Sequence, residues 1–481
     1  MLRKRITTFI VTFLILIFFV SAAVVAVFLS QGRRLDGTEG IVITSIINLN
    51  TLPEDVNVFI NDKKVDRVDG RVENLDPGVV SLKVTKDGYT TWEKQVELQG
   101  GVVKDVNVQL FPENLELTAL TQTNINKAVF VKDSEYIFYS VLSSANTSDL
   151  GIWKLKLSRN LLNLTENKPT KIISLDQTKA TTLLQSDYEI KVSKDNSRFV
   201  LYSPSIKLIE VYDVNTGSQI AINNALISFP SKVDWFNGSS SLVLLVNNLV
   251  YEYEIGSKQL SIVTFDTELT PTYYVAAGRI IYFNRTDSKY YAYKNKASTE
   301  LTTFSKSLTS IIPAQIFTPE SSEEVISVLS GDKTLYFFDE SKSFQASFKD
   351  IDAVLNVNTT LTQYVVVKGT DLFSLYLEPT PDNKAYTSTL SPLKVLKTDI
   401  EYSTILENSS SIAFISKLET GKNTLTVMDR DGENKQDFFS DDRLAVNPLA
   451  INPNGSELYL VLNEKSGETV VENLYKLILF K

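Results

Sequence analysis

The sequence predicts an all-β protein behind one N-terminal transmembrane helix: a small antiparallel β domain, then a β-propeller. Three observations carry this expectation. Residues 6–29 run for 24 consecutive residues without a charge. Beyond residue 40, apolar residues alternate in short runs with no sustained helical period. From residue 115 onward a degenerate unit recurs: entry strand, polar turn, apolar strand, second turn, aromatic-rich strand. Its spacing, mostly about 40–50 residues, is that of propeller blades.

The apolar run comes first. At about 1.5 Å per residue it reaches roughly 36 Å as a helix, enough to cross a hydrocarbon core of about 30 Å. Ser21, Ala22 and Ala23 offer small residues to a signal peptidase, but the run exceeds the roughly 7–15 apolar residues of a cleavable signal. No Cys follows it, which excludes a lipoprotein anchor. Arg3, Lys4 and Arg5 precede it and Arg33 and Arg34 follow. The bias predicts a cytoplasmic tail (1–5), a membrane helix (6–29), a polar linker (30–40) and an extracytoplasmic remainder. The reversed topology would make the propeller a cytoplasmic scaffold. The first 34 residues carry five basic and no acidic groups, leaving −14 on the rest of a chain whose net charge is −9. So acidic a body repels phosphate backbones, and nucleic acid is excluded as a partner.

The chain has no His and no Cys. Without imidazole there is no Ser-His-Asp arrangement. Without imidazole and thiolate there is no ordinary zinc, copper, haem or iron–sulfur site. Carboxylate pairs, Ser-Lys dyads and oxygen-ligated calcium remain open. Disulfides cannot staple the chain, so packed cores hold it.

Residues 41–112 read as the small antiparallel domain. Val80, Leu82 and Val84 share one strand face, as do Val106, Val108 and Leu110. Asn61-Asp62, Asp69-Gly70, Asp76-Pro77-Gly78 and Asp87-Gly88 are turn signals. The order of features resembles a PEGA domain: the strand 40–45, the hairpin 56–64, the step Leu75-Asp76-Pro77-Gly78, the block 80–89, then Trp92 and a strand 102–110 closed by Phe111-Pro112. Departures are Asp69-Gly70-Arg71 in place of the family's Thr-Pro step, and no Glu-Gly-Ala after Pro77. The resemblance implies a module of prokaryotic envelope proteins and no chemistry. Gly78 and Gly88 read as turn geometry, Tyr89 and Trp92 as cover for a small core.

Residues 115–481 read as the propeller. The apolar strand recurs after Asp195-Asn196-Ser197, Asn237-Gly238-Ser239, Asn454-Gly455-Ser456 and Asp133-Ser134. The aromatic-rich strand recurs at 152–155, 211–214, 251–254, 290–293, 335–338, 373–376, 425–428 and 474–477. That makes eight blades, or seven if one unit is an excursion. The plan resembles TolB-type and WD40-type propellers in architecture, without the WD40 Trp-Asp and Gly-His signatures. Residues 115–120 stand before the first unit with unmatched strand character and are expected to complete the last blade.

Candidate sites are few. Asp429, Asp431, Glu433, Asp441 and Asp442 suggest a calcium loop, but the EF-hand ligand series is incomplete and a hairpin turn explains Asp431-Gly432. Tyr273, Tyr274, Tyr290, Tyr291 and Tyr293 suggest sugar stacking, yet Tyr291 and Tyr293 share one strand face and Tyr290 takes the other. A sialidase needs an arginine cluster, and only Arg159, Arg198, Arg279, Arg285, Arg430 and Arg443 lie beyond residue 115. No catalytic, cofactor or metal residue is therefore assigned, and no ligand-binding residue either. The expected function is a membrane-anchored, extracytoplasmic binding or scaffold protein. Its partner would be an envelope protein, a surface polymer or a partner cell. The alternative is a propeller enzyme acting on glycans through two carboxylates.

Overall fold

The computed structural model describes residues 13–22, 33–36 and 40–479, except 115, 131–134, 158–167, 223–227, 264–271, 277, 303, 305–310, 320–321, 323, 359, 381, 398–399, 407–410, 418–421, 442, 446–449, 452–456 and 467–468. The predicted tail 1–5 and the turns Asp133-Ser134 and Asn454-Ser456 lie outside the described residues. Of the predicted span 6–29, residues 13–22 are described; they are helical and exposed. Among the described residues no helix is long and apolar enough to cross a membrane. The predicted linker 30–40 is partly paired: Arg33–Asp36 forms a two-stranded antiparallel sheet with Gly40–Ile43. Its polar composition concealed a ladder that needs only backbone groups.

The described chain falls into two compact units, divided between residues 115 and 116. In the first, two sheets face each other across one core. Lys63–Val65, Asn57–Ile60, Gly78–Thr85 and Trp92–Leu98 form an antiparallel four-stranded sheet. Arg71–Leu75, Ser45–Leu52 and Val103–Gln109 form a three-stranded one. Here the antiparallel expectation is corrected: Ser45–Leu52 and Val103–Gln109 run parallel, from Ile46 opposite Val103 to Leu52 opposite Gln109. A parallel pair needs a long crossover, and the whole intervening sheet supplies it. Val58, Leu82, Val84, Trp92, Val106 and Leu110 are among the buried core, with Tyr89 packed against it. Asn61 (φ 49°) and Asp62 (φ 62°) make the two-residue hairpin that joins Ile60 to Lys63, with both φ values positive as a type I′ turn requires.

The second unit contains, among the described residues, eight four-stranded antiparallel sheets. Their first strands are Lys127–Phe130, Glu189–Val192, Lys232–Phe236, Tyr273–Ala276, Pro313–Phe317, Ala353–Val357, Ile400–Leu406 and Ala450–Ile451, taken here as blades 1 to 8. The eight aromatic-rich segments of the sequence all fall on third strands. Alternation explains why: neighbouring residues on a strand face opposite sides, so a blade core serves two blades. Ile137 packs toward blade 8 with Tyr459 and Leu474, while Phe138 packs toward blade 2 with Phe199 and Leu201. Val243 and Leu244 divide in the same way between blades 4 and 2, and Tyr364 and Val365 between blades 5 and 7. Asn423 Nδ2 of blade 7 donates to the Leu444 carbonyl ahead of blade 8, at 2.7 Å.

The ring closes as the unmatched strand predicts. Glu116–Ala119 pairs antiparallel with Thr469–Ile478 and supplies the outer strand of blade 8. Leu120 and Ile125 amides donate to the Leu474 and Glu472 carbonyls, both at 2.8 Å. The Leu474 amide donates to Thr121 Oγ1 at 2.9 Å.

One expectation of purely β-like chain is corrected between blades 1 and 2. Gln177–Leu184 is a helix capped by Asp176, whose side chain accepts from the Lys179 amide at 2.8 Å. Ala180 and Leu183 bury into the core shared by those blades. Two turns are too short to print a helical period on a sequence.

Candidate functional site

The first strands of blades 1 to 4 line a cavity of about 450 Å³, within the range of about 300–1,000 Å³ typical of small-molecule pockets. Each strand contributes side chains: Phe130 from blade 1, Lys191 from blade 2, Lys232, Asp234 and Trp235 from blade 3, Tyr273 and Tyr274 from blade 4. The four aromatic side chains are half-buried.

Asp234 organises the polar part. Its Oδ2 accepts from the Tyr273 hydroxyl at 3.1 Å and pairs with Lys232 Nζ at 3.1 Å; its Oδ1 pairs with Lys191 Nζ at 3.4 Å. One carboxylate thus ties three blades. Lys191 also donates to the Val233 carbonyl at 2.6 Å and pairs with Glu189 at 3.2 Å. Lys232 lies 4.4 Å from the Tyr273 ring centroid, a cation–π contact. Burial, reinforced by the Asp234 charge and hydrogen bond, pushes the Tyr273 phenol well above its ordinary range, so it stays a neutral donor at physiological pH. The Trp235 indole donates to the Lys191 carbonyl at 2.7 Å, which fixes the ring plane.

Two carboxylates, Glu189 and Asp234, stand near this wall, and the Lys191 ammonium pairs with both. Among the described residues no group of three or more His, Cys, Asp or Glu could hold a metal ion.

The predicted candidates are dispersed. Tyr290 is buried toward blade 5, and Tyr293 toward blade 3, where its hydroxyl donates to buried Glu252 at 2.7 Å. Tyr291 stacks on Tyr282 with centroids 5.5 Å apart. Of the five tyrosines only Tyr273 and Tyr274 reach the cavity. Asp429 and Glu433 close a hairpin, with the Asp429 amide donating to the Glu433 carbonyl and Gly432 donating back, both at 2.9 Å. Asp442 and Arg159 lie outside the described residues. Three arginines bridge separate blade seams: Arg198 to the Ser239 carbonyl, Arg279 to Thr318, and Arg430 to Glu378. They do not converge. Lys191, Lys232, Asp234 and Trp235 escaped the sequence reading. Their signal was positional: charged and aromatic residues on the first strand of consecutive units.

Two further polar devices are structural. The Asp195 carboxyl is pushed up by burial, but hydrogen bonds from Ser193, Ser239 and Ser197 outweigh this and hold it at about 2. It ties the blade 2 turn to blade 3 through Ser239, at 2.7 Å. Tyr188 and Tyr364 hydroxyls meet Ser140 and Ser327 of the preceding blades, at 2.8 and 2.5 Å.

Comparison with known proteins places a PEGA domain at residues 44–114. No curated protein matches the chain. Among solved structures, the chain is similar to the WD40 domain of SCAP from fission yeast, at 11% identity and TM-score 0.46, covering 76% of this chain and 98% of that one. It is similar also to Porphyromonas gingivalis dipeptidyl peptidase 4, at 9% identity and TM-score 0.46, covering 74% and 58%.

Proposed function

We propose that this chain is a single-pass protein of a prokaryotic cytoplasmic membrane, holding its PEGA domain and propeller outside. The propeller binds an envelope protein, a surface polymer or a partner cell and performs no chemistry on it. One observation carries the binding reading: the Lys191 ammonium pairs with both Glu189 and Asp234. A cavity whose acidic groups are already engaged by ammonium groups is equipped to hold a ligand rather than to exchange protons with it. Residues 13–22 support the anchor. Phe13 to Val20 are apolar on every side of the helix, each about half exposed or more, and such a surface suits lipid.

Full-length protein purified in detergent should show no turnover on glycans, esters or peptides, with or without calcium. It should retain a component of its native envelope, and substitutions on one propeller face should abolish that retention. Reproducible hydrolysis lost in Glu189→Gln or Asp234→Asn would replace this reading with the glycan-acting enzyme. Orientation is checked separately. Protease added to intact spheroplasts should digest residues beyond 40 and leave a protected N-terminal fragment; complete protection until lysis would reverse the topology.

A further inference from the structure

We infer that the cavity of blades 1 to 4 is a carbohydrate site, taking a neutral sugar ring through two adjacent hydroxyls. The inference rests on the binding reading and narrows its partner to a glycan.

Charge balance comes first. Lys191 and Lys232 face Glu189 and Asp234, so the paired groups cancel within the site. The whole chain carries −9. That negative charge disfavours an anion, and a cation would find Asp234, the one carboxylate among the described lining residues, already held by two ammonium groups, which together select for a neutral ligand. The aromatic groups come next. Trp235 and Tyr273 have spent their polar atoms on the Lys191 carbonyl and on Asp234. Both rings are partly buried, Trp235 against the core between blades 2 and 3 and Tyr273 against that between blades 3 and 4. What they offer a ligand is the ring surface that lines the cavity, held rigid before binding, and such surface stacks on the apolar face of a sugar at little entropic cost.

The remaining hydrogen-bonding capacity is matched to a diol. Lys232 Nζ has three donors and, among the described residues, one carboxylate partner besides the Tyr273 ring; its side chain is 47% exposed. Asp234 Oδ1 accepts one ammonium at 3.4 Å and has a lone pair to spare. The spare donors of Lys232 and the spare lone pair of Asp234 Oδ1 therefore belong to one ion pair, closed at 3.1 Å through Oδ2. Neighbouring sugar hydroxyls, one accepting from Lys232 and one donating to Asp234, satisfy both. Hydrogen bonds to charged groups are the stronger kind and make the pair the principal polar anchor.

The test uses full-length protein in a detergent without a sugar headgroup. Neutral tetraoses of glucose, mannose and galactose, α- and β-linked, are titrated by calorimetry and saturation-transfer NMR. Each is repeated after periodate oxidation, which cleaves the bond between hydroxyl-bearing carbons. At least one intact tetraose should bind, and its oxidised form should not. Asp234→Asn and Lys232→Met should each weaken binding about tenfold or more, the loss expected for a hydrogen bond to a charged group. Trp235→Ala should abolish it. Tyr291→Phe, outside the cavity, should leave it unchanged, and unaltered melting of Asp234→Asn keeps that variant informative. Absence of binding by every tetraose, binding that survives periodate, or binding indifferent to Asp234→Asn and Trp235→Ala would each overturn the inference. If the full-length protein still retains an envelope protein in that event, the binding reading stands and the glycan falls. Loss of both retention and sugar binding overturns the two together.

Discussion

Deleting residues 116–120 is expected to lower the melting midpoint of the propeller more than any surface change of similar length. The deletion removes the outer strand of blade 8, in which Glu116, Leu117, Thr118 and Ala119 pair with Ile478, Leu477, Lys476 and Tyr475. It also removes the Leu120 amide bond to Leu474 and the Leu120 side chain packed against the core between blades 8 and 1. At about 1 kcal/mol net per hydrogen bond the loss is about 3–5 kcal/mol. For a unit of this size that corresponds to a fall of about 5 °C, from an unfolding entropy of about 2.1 cal/mol/K per residue. Blade 8 would then present an open strand edge, so aggregation on heating should rise as well. Thermal melting of the full-length variant decides it. An unchanged midpoint would show that interblade packing closes the ring without the strand.

Phe199→Ala is expected to cost about 3–5 kcal/mol, the usual range for removing a fully buried Phe. Phe199 has no exposed surface and sits in the core shared by blades 1 and 2, its ring stacked on Tyr212 with centroids 5.1 Å apart. The same core receives Leu183 from the short helix and Tyr188, so the cavity left behind borders several elements that cannot collapse independently. Urea unfolding followed by tyrosine fluorescence measures it. Val470→Ala, at a position 59% exposed, serves as the comparison and should stay within about 0.5 kcal/mol. Equal effects of the two substitutions would mean that the blade 1–2 core carries no more than the surface does.

Much of this architecture is local in origin and so was written in the sequence. Alternation at Val80, Leu82 and Val84 makes a half-buried strand wherever it is placed, and all three are buried. Asn61-Asp62 dictates a tight hairpin because both residues tolerate positive φ. Aromatic residues mark the third strand of every blade but blade 7, whose Asn423–Met428 has none, because large rings fill the wedge between radial sheets. Ring closure followed from counting: a strand without a partner at the start, and a last unit short by one at the end. Other features depend on what lies opposite across long stretches of chain, and these only the folded molecule decided. The parallel pairing of Ser45–Leu52 with Val103–Gln109 joins segments whose own patterns read equally well as antiparallel. The helix 177–184 exists because Ala180 and Leu183 find a core to enter, not because eight residues favour a helix by themselves. The cavity is the clearest case. Lys191, Lys232, Asp234, Trp235 and Tyr273 span 83 positions of the chain from first to last, and nothing in their local sequence brings them together. Blade repetition does, because it returns the first strand of each unit to the same radius about one axis, where side chains from successive blades converge.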